Sequence, residues 1–301
     1  MIYRYRDRLR RMLFDWKSRG VHATAPVRAD PDSPLALFTQ MQHKDMTMGL
    51  VAFKTFAQRV PAQAFYILSD GTLTSEDKAV LRHHLPELNI IEAAEVANRH
   101  CPQGGCWERL LSIADLSERH YLIQIDADTL TLDDLPEVRT QVAANASFAI
   151  GTWDSQAVET MAYRVERARA ARARQKGRVH IQLEAEAGFD ALENYANLAY
   201  VRGCAGFSGF ARGSVSRTFI EAASSQMEVA LGPRWREWGS EQVMSNIVVA
   251  NGPGAAALPH PKYCDCTRMQ AGQTVFVHFI GSCRFNGGMY ANMAHRMIES
   301  L

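Results

Sequence analysis

The chain has 301 residues, 47% of them hydrophobic, and a formal net charge of +1 at pH 7. That length carries one large core, or a core plus a small lobe. Near-neutral charge excludes a chain that binds polyanions over its whole surface, and no stretch reaches the ~18 consecutive apolar residues that a membrane span needs.

Residues 1–18 predict an amphipathic helix, with Ile2, Tyr5, Leu9, Leu13 and Trp16 near one face and arginines around them. Charges interrupt this segment throughout, so it lacks the apolar centre of a signal peptide. It suits peripheral contact with a membrane surface or a partner helix. Residues 19–34, with Pro26, Pro31 and Pro34, read as a linker. An alternating pattern then begins. Leu35–Gln40 predicts a strand, Met46–Val60 a helix, and Ala64–Leu68 a strand ending in the turn Ser69-Asp70-Gly71. Ser75 would cap a helix over Glu76–His84. Leu88–Ile91 predicts a strand, Trp107–Leu116 a helix, and Tyr121–Ile125 a strand that stops at Asp126.

This alternation predicts an α/β domain with a mostly parallel central sheet. Ligands of such sheets sit beyond the carboxyl ends of the strands. Gln40 to Asp45, Asp70-Gly71 and Asp126-Ala127-Asp128 all fall at that edge. The second half is less regular. It offers a strand at Ala149–Thr152, a helix at Glu159–Lys176, a flexible strand or bend at Ala205–Ala211 and a helix at Ser240–Val249. A strand at Thr274–Phe279, the glycine-bearing stretch Gly281–Gly288 and a helix at Tyr290–Ile298 complete it. The expected organisation is an N-terminal segment over 1–34 and one Rossmann-like domain over 35–301, with halves at 35–150 and 151–301.

Asp126 and Asp128, two residues apart at the end of a buried strand, can face one cation. A half-open, oxygen-rich site of this kind suits Mg²⁺ or Mn²⁺, which would bridge diphosphate oxygens. A solvated turn would explain an isolated pair of this kind. A short link of small residues after an apolar strand is a poor place to leave two unpaired carboxylates.

The stretch from Trp107-Glu108-Arg109-Leu110-Leu111 through Asp126-Ala127-Asp128 to Asp133-Asp134-Leu135-Pro136-Glu137 resembles the D-x-D region of glycosyltransferase family 8 and related GT-A enzymes. His278, Gly281 and Arg284 are similar in spacing to that family's His-x-x-Gly-x-x-Lys motif, with arginine in place of lysine. Ser240-Glu241-Gln242 to Asn246 resembles its Asp-Gln-x-x-x-Asn helix start, with Glu241 in place of aspartate. Gly206 to Phe210 resembles a strand lining the sugar pocket. The matches span about residues 35 to 290, in order.

The resemblance implies the GT-A fold and transfer of a sugar from a nucleotide-sugar, a UDP-sugar, to a hydroxyl of a glycan or glycolipid acceptor. It implies Mn²⁺ or Mg²⁺ held by Asp126, Asp128 and His278, with Arg284 on the diphosphate. Arg109 would reach a donor-sugar hydroxyl or phosphate, Ser208 would line the sugar pocket and Asp70 would contact the nucleoside; by position at the sheet edge, Gln40 and Lys44 would flank the base. Glu241 and Gln242 would lie beside the reacting carbon of a retaining transfer. Gln242 is a poor nucleophile, so its role would be electrostatic support of oxocarbenium character.

Plainer readings stand beside these. His278 alone would be a core histidine, Arg109 a surface arginine, Asp70 part of a turn, and Ser240-Glu241 a helix cap. A nucleotidyltransferase on the same sheet would carry a glycine-rich signature where this chain has Gln40-Met41-Gln42-His43-Lys44. A non-catalytic binder of membranes or nucleic acid would use the basic run at Arg164–Arg178, which reads more simply as a solvated helix. Nucleic acid is further disfavoured because no aromatics interleave with those arginines. The six cysteines, Cys101, Cys106, Cys204, Cys264, Cys266 and Cys283, are expected as reduced thiols in a cytoplasmic protein. Cys264-Asp265-Cys266 lacks the usual spacing of a zinc pair.

Overall fold

Strands form where short apolar runs end in polar turns. A computed structural model describes Ile2 to Leu301, with side-chain placement from Arg8 onward except at Ser282. Twelve strands result: β1 Leu35–Met41, β2 Ala64–Ser69, β3 Leu88–Glu92, β4 Tyr121–Ile125, β5 Thr129–Thr131, β6 Phe148–Gly151, β7 Val158–Thr160, β8 Ala199–Val201, β9 Gly203–Phe210, β10 Ala256–Leu258, β11 Tyr263–Asp265 and β12 Phe276–His278. The helices are α1 Ile2–Ser18, α2 Met46–Ala57, α3 Ser75–His84, α4 Trp107–Ser117, α5 Pro136–Ala143, α6 Met161–Ala173, α7 Ile181–Ala187, α8 Arg217–Leu231, α9 Ser240–Ala250 and α10 Met289–Ile298.

The central sheet has seven strands in the order β10-β6-β9-β4-β1-β2-β3. It is mostly parallel: β1 with β2, β2 with β3, and β10 with β6, while β9 runs antiparallel to β6. The mixed α/β class expected from the alternation is the class observed. A second, three-stranded sheet has the order β11-β12-β5.

The chain divides into two compact units that interleave in sequence, where the expectation was a succession of 1–34, 35–150 and 151–301. One holds residues 1–93, 123–139 and 259–301; the other holds 94–122 and 140–258. In the first unit, α2 is buried around most of its circumference, and its Met48, Leu50 and Val51 join Phe14, Leu130, Val277, Phe279, Tyr290 and Ile298 in one core. Phe279 stacks on Tyr290 with ring centroids 4.0 Å apart, and Phe14 lies 4.4 Å from the same tyrosine. The N-terminal helix is thus anchored through Phe14 and buried Ser18, while Leu9, Leu13 and Trp16 stay exposed. The residues from 19 to 34 are not all linker: Arg19–Ala23 is a 3-10 turn with Val21 buried.

In the second unit, Trp107 and Trp235 meet edge to face at 5.6 Å, and their indole N–H groups donate to Ser240 and Ser224 at 3.0 Å each. The buried positions of α8 are Ile220, Ala223, Ser224 and Met227, the i, i+3, i+4, i+7 stripe of a helix packed on one face. This helix was not expected, although Ser216 caps it by accepting from the Phe219 N–H.

Several local expectations are corrected. The cap of α3 is Thr74, not Ser75. Its hydroxyl accepts from the Asp77 N–H at 3.1 Å and the Asp77 carboxylate accepts from the Thr74 N–H at 2.8 Å, a reciprocal capping box. The helix expected over Glu159–Lys176 is shorter, because Val158–Thr160 pairs with β8 as a strand. Its arginines are not simply solvated: Arg164 is buried and ion-paired with Glu159, Arg169 meets Asp190 at 2.6 Å, and Arg172 meets Glu184 at 3.1 Å. Those carboxylates pair with three of the seven basic residues from Arg164 to Arg178. Cys266 and Cys283 are joined as a disulfide with Cα atoms 6.2 Å apart, correcting the expectation of reduced thiols at these two positions. Cys101, Cys106, Cys204 and Cys264 lie outside that disulfide. No helix among the described residues is long and apolar enough to cross a membrane.

Candidate metal and donor site

The acidic pair sits where β4 ends. Tyr121 to Ile125 is wholly buried, and the chain then turns through Asp126 and Ala127 into β5. Thr129 closes that turn: its N–H and hydroxyl both donate to the Asp126 carbonyl, at 3.2 and 2.8 Å. β5 pairs antiparallel with β12, which places His278 opposite Thr129. The Phe279 N–H donates to the Asp128 carbonyl at 2.8 Å and fixes the same register. Two segments 150 residues apart in sequence are thereby brought face to face.

The side chains converge. His278 Nε2 lies 3.2 Å from Asp128 Oδ1 and 3.4 Å from Asp126 Oδ2. One ligand atom from each of the three residues can be chosen so that all lie within 4.8 Å of one another. Asp128 and His278 are buried, and Asp126 is partly exposed, so the cluster opens on one side. Arg284 is ion-paired with Asp128, and its Nε donates to the Phe279 carbonyl at 3.1 Å. Burial raises the Asp128 carboxyl pKa, but His278 and Arg284 more than offset this and hold it below the ordinary value. The ionised carboxylate is the form that these two neighbours favour.

Gly281, between His278 and Arg284, has φ +36°, a conformation that a side chain would strain. It turns the chain so that both residues of the motif reach the same carboxylate. The Cys266–Cys283 bond ties this loop to the end of β11, where the Cys266 N–H donates to the His278 carbonyl at 3.0 Å. The donor set of two carboxylates and one imidazole fits a divalent cation such as Mn²⁺ or Mg²⁺. His278 can serve in either of two exclusive ways: a proton on Nε2 bonds the carboxylates, or the lone pair holds the ion.

Other expected residues are less directly engaged. Gln40, near the end of β1, is half-buried, and its Oε1 accepts no hydrogen bond among the described atoms. Lys44 is exposed, and its carbonyl accepts from Arg11. Asp70 is exposed and accepts from the Thr72 N–H and hydroxyl at 3.0 and 2.6 Å, the geometry of a turn. It follows β2 directly, level with the end of β1.

In the second unit, Arg109 is not at the surface. It is buried and donates to Glu241 Oε2 at 2.7 Å. Glu241 is buried at the start of α9, and Gln242 beside it accepts from the Ala205 N–H at 3.4 Å. Gly239, with φ +103°, begins this helix, and a Cβ there would lie 2.9 Å from His180. Ser208, on β9, is buried with a hydroxyl that has no hydrogen-bond partner among the described atoms. Asn246 donates to the Gly203 carbonyl at 3.0 Å, so it braces β9.

Sequence reasoning missed Gln124, whose Nε2 donates to Asp126 Oδ1 at 2.8 Å and orients that carboxylate. A lone amide inside an apolar strand was the available signal. It also missed Tyr290, whose ring backs Phe279 beside His278 and whose helical position carries no motif.

No protein-family model matches the chain, and no curated protein sequence matches it. Solved structures do. The WbbM bifunctional glycosyltransferase in its apo form superposes with a TM-score of 0.51 at 14% identity, over 89% of this chain and 50% of that one. This chain thus spans half the length of that structure. Mouse xyloside xylosyltransferase 1 gives a TM-score of 0.47 at 11% identity, over 86% and 99% of the two chains. The galactosyltransferase LgtC, in complex with donor and acceptor sugar analogues, gives 0.45 at 14% identity over 88% and 96%. Together with the seven-stranded mixed sheet and the placement of the Asp-x-Asp turn at its edge, the likeness to WbbM establishes that the chain is built on the GT-A glycosyltransferase fold.

Proposed function

We propose that the protein transfers a sugar from a nucleotide-diphosphate sugar, a UDP-sugar, to a hydroxyl group of a glycan or glycolipid acceptor. The observation that carries this reading is the convergence of Asp126, Asp128 and His278 within 4.8 Å, with Arg284 paired to the same buried aspartate. Asp126, Asp128 and His278 would hold a Mn²⁺ or Mg²⁺, which would supply positive charge to a diphosphate leaving group. Asp126 is the open side of the cluster, and Gln124 holds its carboxylate in place. Arg284 adds a fixed positive group that stabilises the departing phosphate.

Gln40, Lys44 and Asp70 lie near the carboxyl ends of β1 and β2 and are assigned to the base and nucleoside. Ser208, with its unpartnered hydroxyl, is assigned to the donor sugar. Gln242 is an amide and supports positive charge at the anomeric carbon rather than attacking it, so a retaining transfer at this site would run by front-face attack without a covalent intermediate. Glu241 lies beside it, and Arg109 donates to that carboxylate and orients it. Arg109 is therefore assigned as a positioning residue for Glu241, with the donor reached through it.

The test is thermal melting with a panel of nucleotide-sugars, each with and without Mn²⁺. A nucleotide-sugar at one hundred times its dissociation constant stabilises the fold by about 3 kcal/mol. The proposal expects that gain from a UDP-sugar only when the metal is present. Equal stabilisation by the nucleotide after chelation, or none from any donor, would remove it.

A further inference from the structure

We infer that α1 is a docking surface for an anionic lipid bilayer. Its buried side is Phe14 and Ser18; the opposite side carries Leu9, Met12, Leu13 and Trp16, which are 47%, 57%, 43% and 58% exposed. The spacing i, i+3, i+4, i+7 makes these four one continuous stripe. The sequence extends the same alternation of three and four upstream to Tyr5 and Ile2. Four of the nine large hydrophobic residues exposed among the described residues therefore lie on this one helix.

The flanks decide the occupant. Residues 1–20 hold seven basic and two acidic residues. Arg8 and Arg19 fall on one side of the stripe at helical spacing, and Arg10 and Lys17 on the other. Arg19 covers the Trp16 ring at 5.5 Å. Arg10 donates to Asn286 at 2.9 Å, which leaves its positive charge uncompensated by any acid in that contact. A second copy of this helix would bring like charges together on both flanks of the seam, which disfavours self-pairing. A bilayer of anionic headgroups instead accepts the basic flanks at the depth where the apolar stripe and the indole enter the interface.

A pocket of about 270 Å³ beside the stripe is lined by Leu13, Phe285, Ala291 and two glycines, with Arg10 on its wall. An apolar recess with one basic group suits an acyl chain beneath its phosphate. This inference does not depend on the donor reading, since it concerns only α1 and its neighbours.

The experiment is co-sedimentation of the full chain, without nucleotide, with vesicles of phosphatidylcholine alone or with about 30% phosphatidylserine. The inference expects roughly tenfold or stronger partitioning onto the anionic vesicles, weakening as salt rises from about 0.1 to 0.5 M. Leu9→Glu with Trp16→Glu should lower binding about tenfold or more while melting is unchanged, because both side chains are exposed. Arg8→Glu should reduce the preference for anionic over neutral vesicles. Equal binding to both vesicle types, or binding to neither, would overturn the inference. So would light scattering that shows a dimer dissolved by Leu9→Glu, which would assign the stripe to a second copy of the chain.

Discussion

The two units treat buried charge in opposite ways. In the first, Asp126, Asp128 and His278 place two carboxylates around one imidazole, with Arg284 paired to Asp128. In the second, Arg109 and Glu241 are buried and ion-paired at 2.7 Å. The first set is short of positive charge when the imidazole is neutral, and a cation from solution can supply it. Within the Arg109–Glu241 contact the two charges balance. A charged residue in a motif therefore says little about ligand binding until its counter-charge is known. Tertiary structure sets a carboxylate beside Arg109 and gathers two carboxylates around one imidazole.

Four substitutions or conditions would break or sharpen this contrast. The largest expected effect is on the first unit. Asp128→Ala should lower sugar transfer by about 10³-fold or more, roughly 4 kcal/mol of transition-state stabilisation. Product formation from a UDP-sugar measures it, and wild-type turnover in the folded variant would end the metal assignment.

Next comes the paired charge of the second unit. Arg109→Met should destabilise the fold by about 3 kcal/mol or more in denaturant unfolding, because it leaves Glu241 buried without its partner. Adding Glu241→Leu should return much of that loss. If the single variant were as stable as the parent, Arg109 would be serving a ligand rather than Glu241.

A third kind of buried charge calibrates the scale. Lys54 is buried in the first unit and donates to the Ala25 carbonyl at 2.7 Å; its Nζ lies 3.1 Å from His84 Nδ1. Burial, then Lys54, push the His84 pKa down to about 4 from 6.5. Below pH 6.5 the unfolded chain takes up a proton that the folded chain refuses until about pH 4. Stability should thus be complete above pH 6.5 and fall through that window, by up to about 3 kcal/mol. His84→Gln should flatten that part of the profile in urea titrations; an unchanged slope would assign it elsewhere.

The smallest effect concerns support. Gln124→Leu should weaken metal activation of transfer about tenfold, roughly 1.4 kcal/mol, with little change in maximal rate at saturating Mn²⁺. A drop in maximal rate at any metal concentration would instead place Gln124 in contact with substrate.

Local pattern carried much of the reading. Strand and helix alternation from Leu35 to Ile125 is visible in the order of apolar runs and turns, because each of those elements buries a face of its own. The short strands β5, β7, β8, β10 and β11 were not legible. Three residues have no periodicity, and such strands exist only through their pairing partners. Met161–Ala173 was overextended for the same reason: its N-terminal neighbour is held by β8, far away in sequence.

By itself, the order of residues determined the class of sheet and the turn that carries Asp126 and Asp128, because spacing and residue type are local properties; His278 and Arg284 entered as candidate partners through the resemblance to glycosyltransferase family 8. Tertiary structure alone decided that β12 lies against β5, which closes 150 residues of separation to 3.2 Å between His278 and Asp128. It also decided that Arg109 faces Glu241 and that the apolar stripe of α1 faces outward. Burial and counter-charge are set by whichever segments pack together, and no window of sequence contains them.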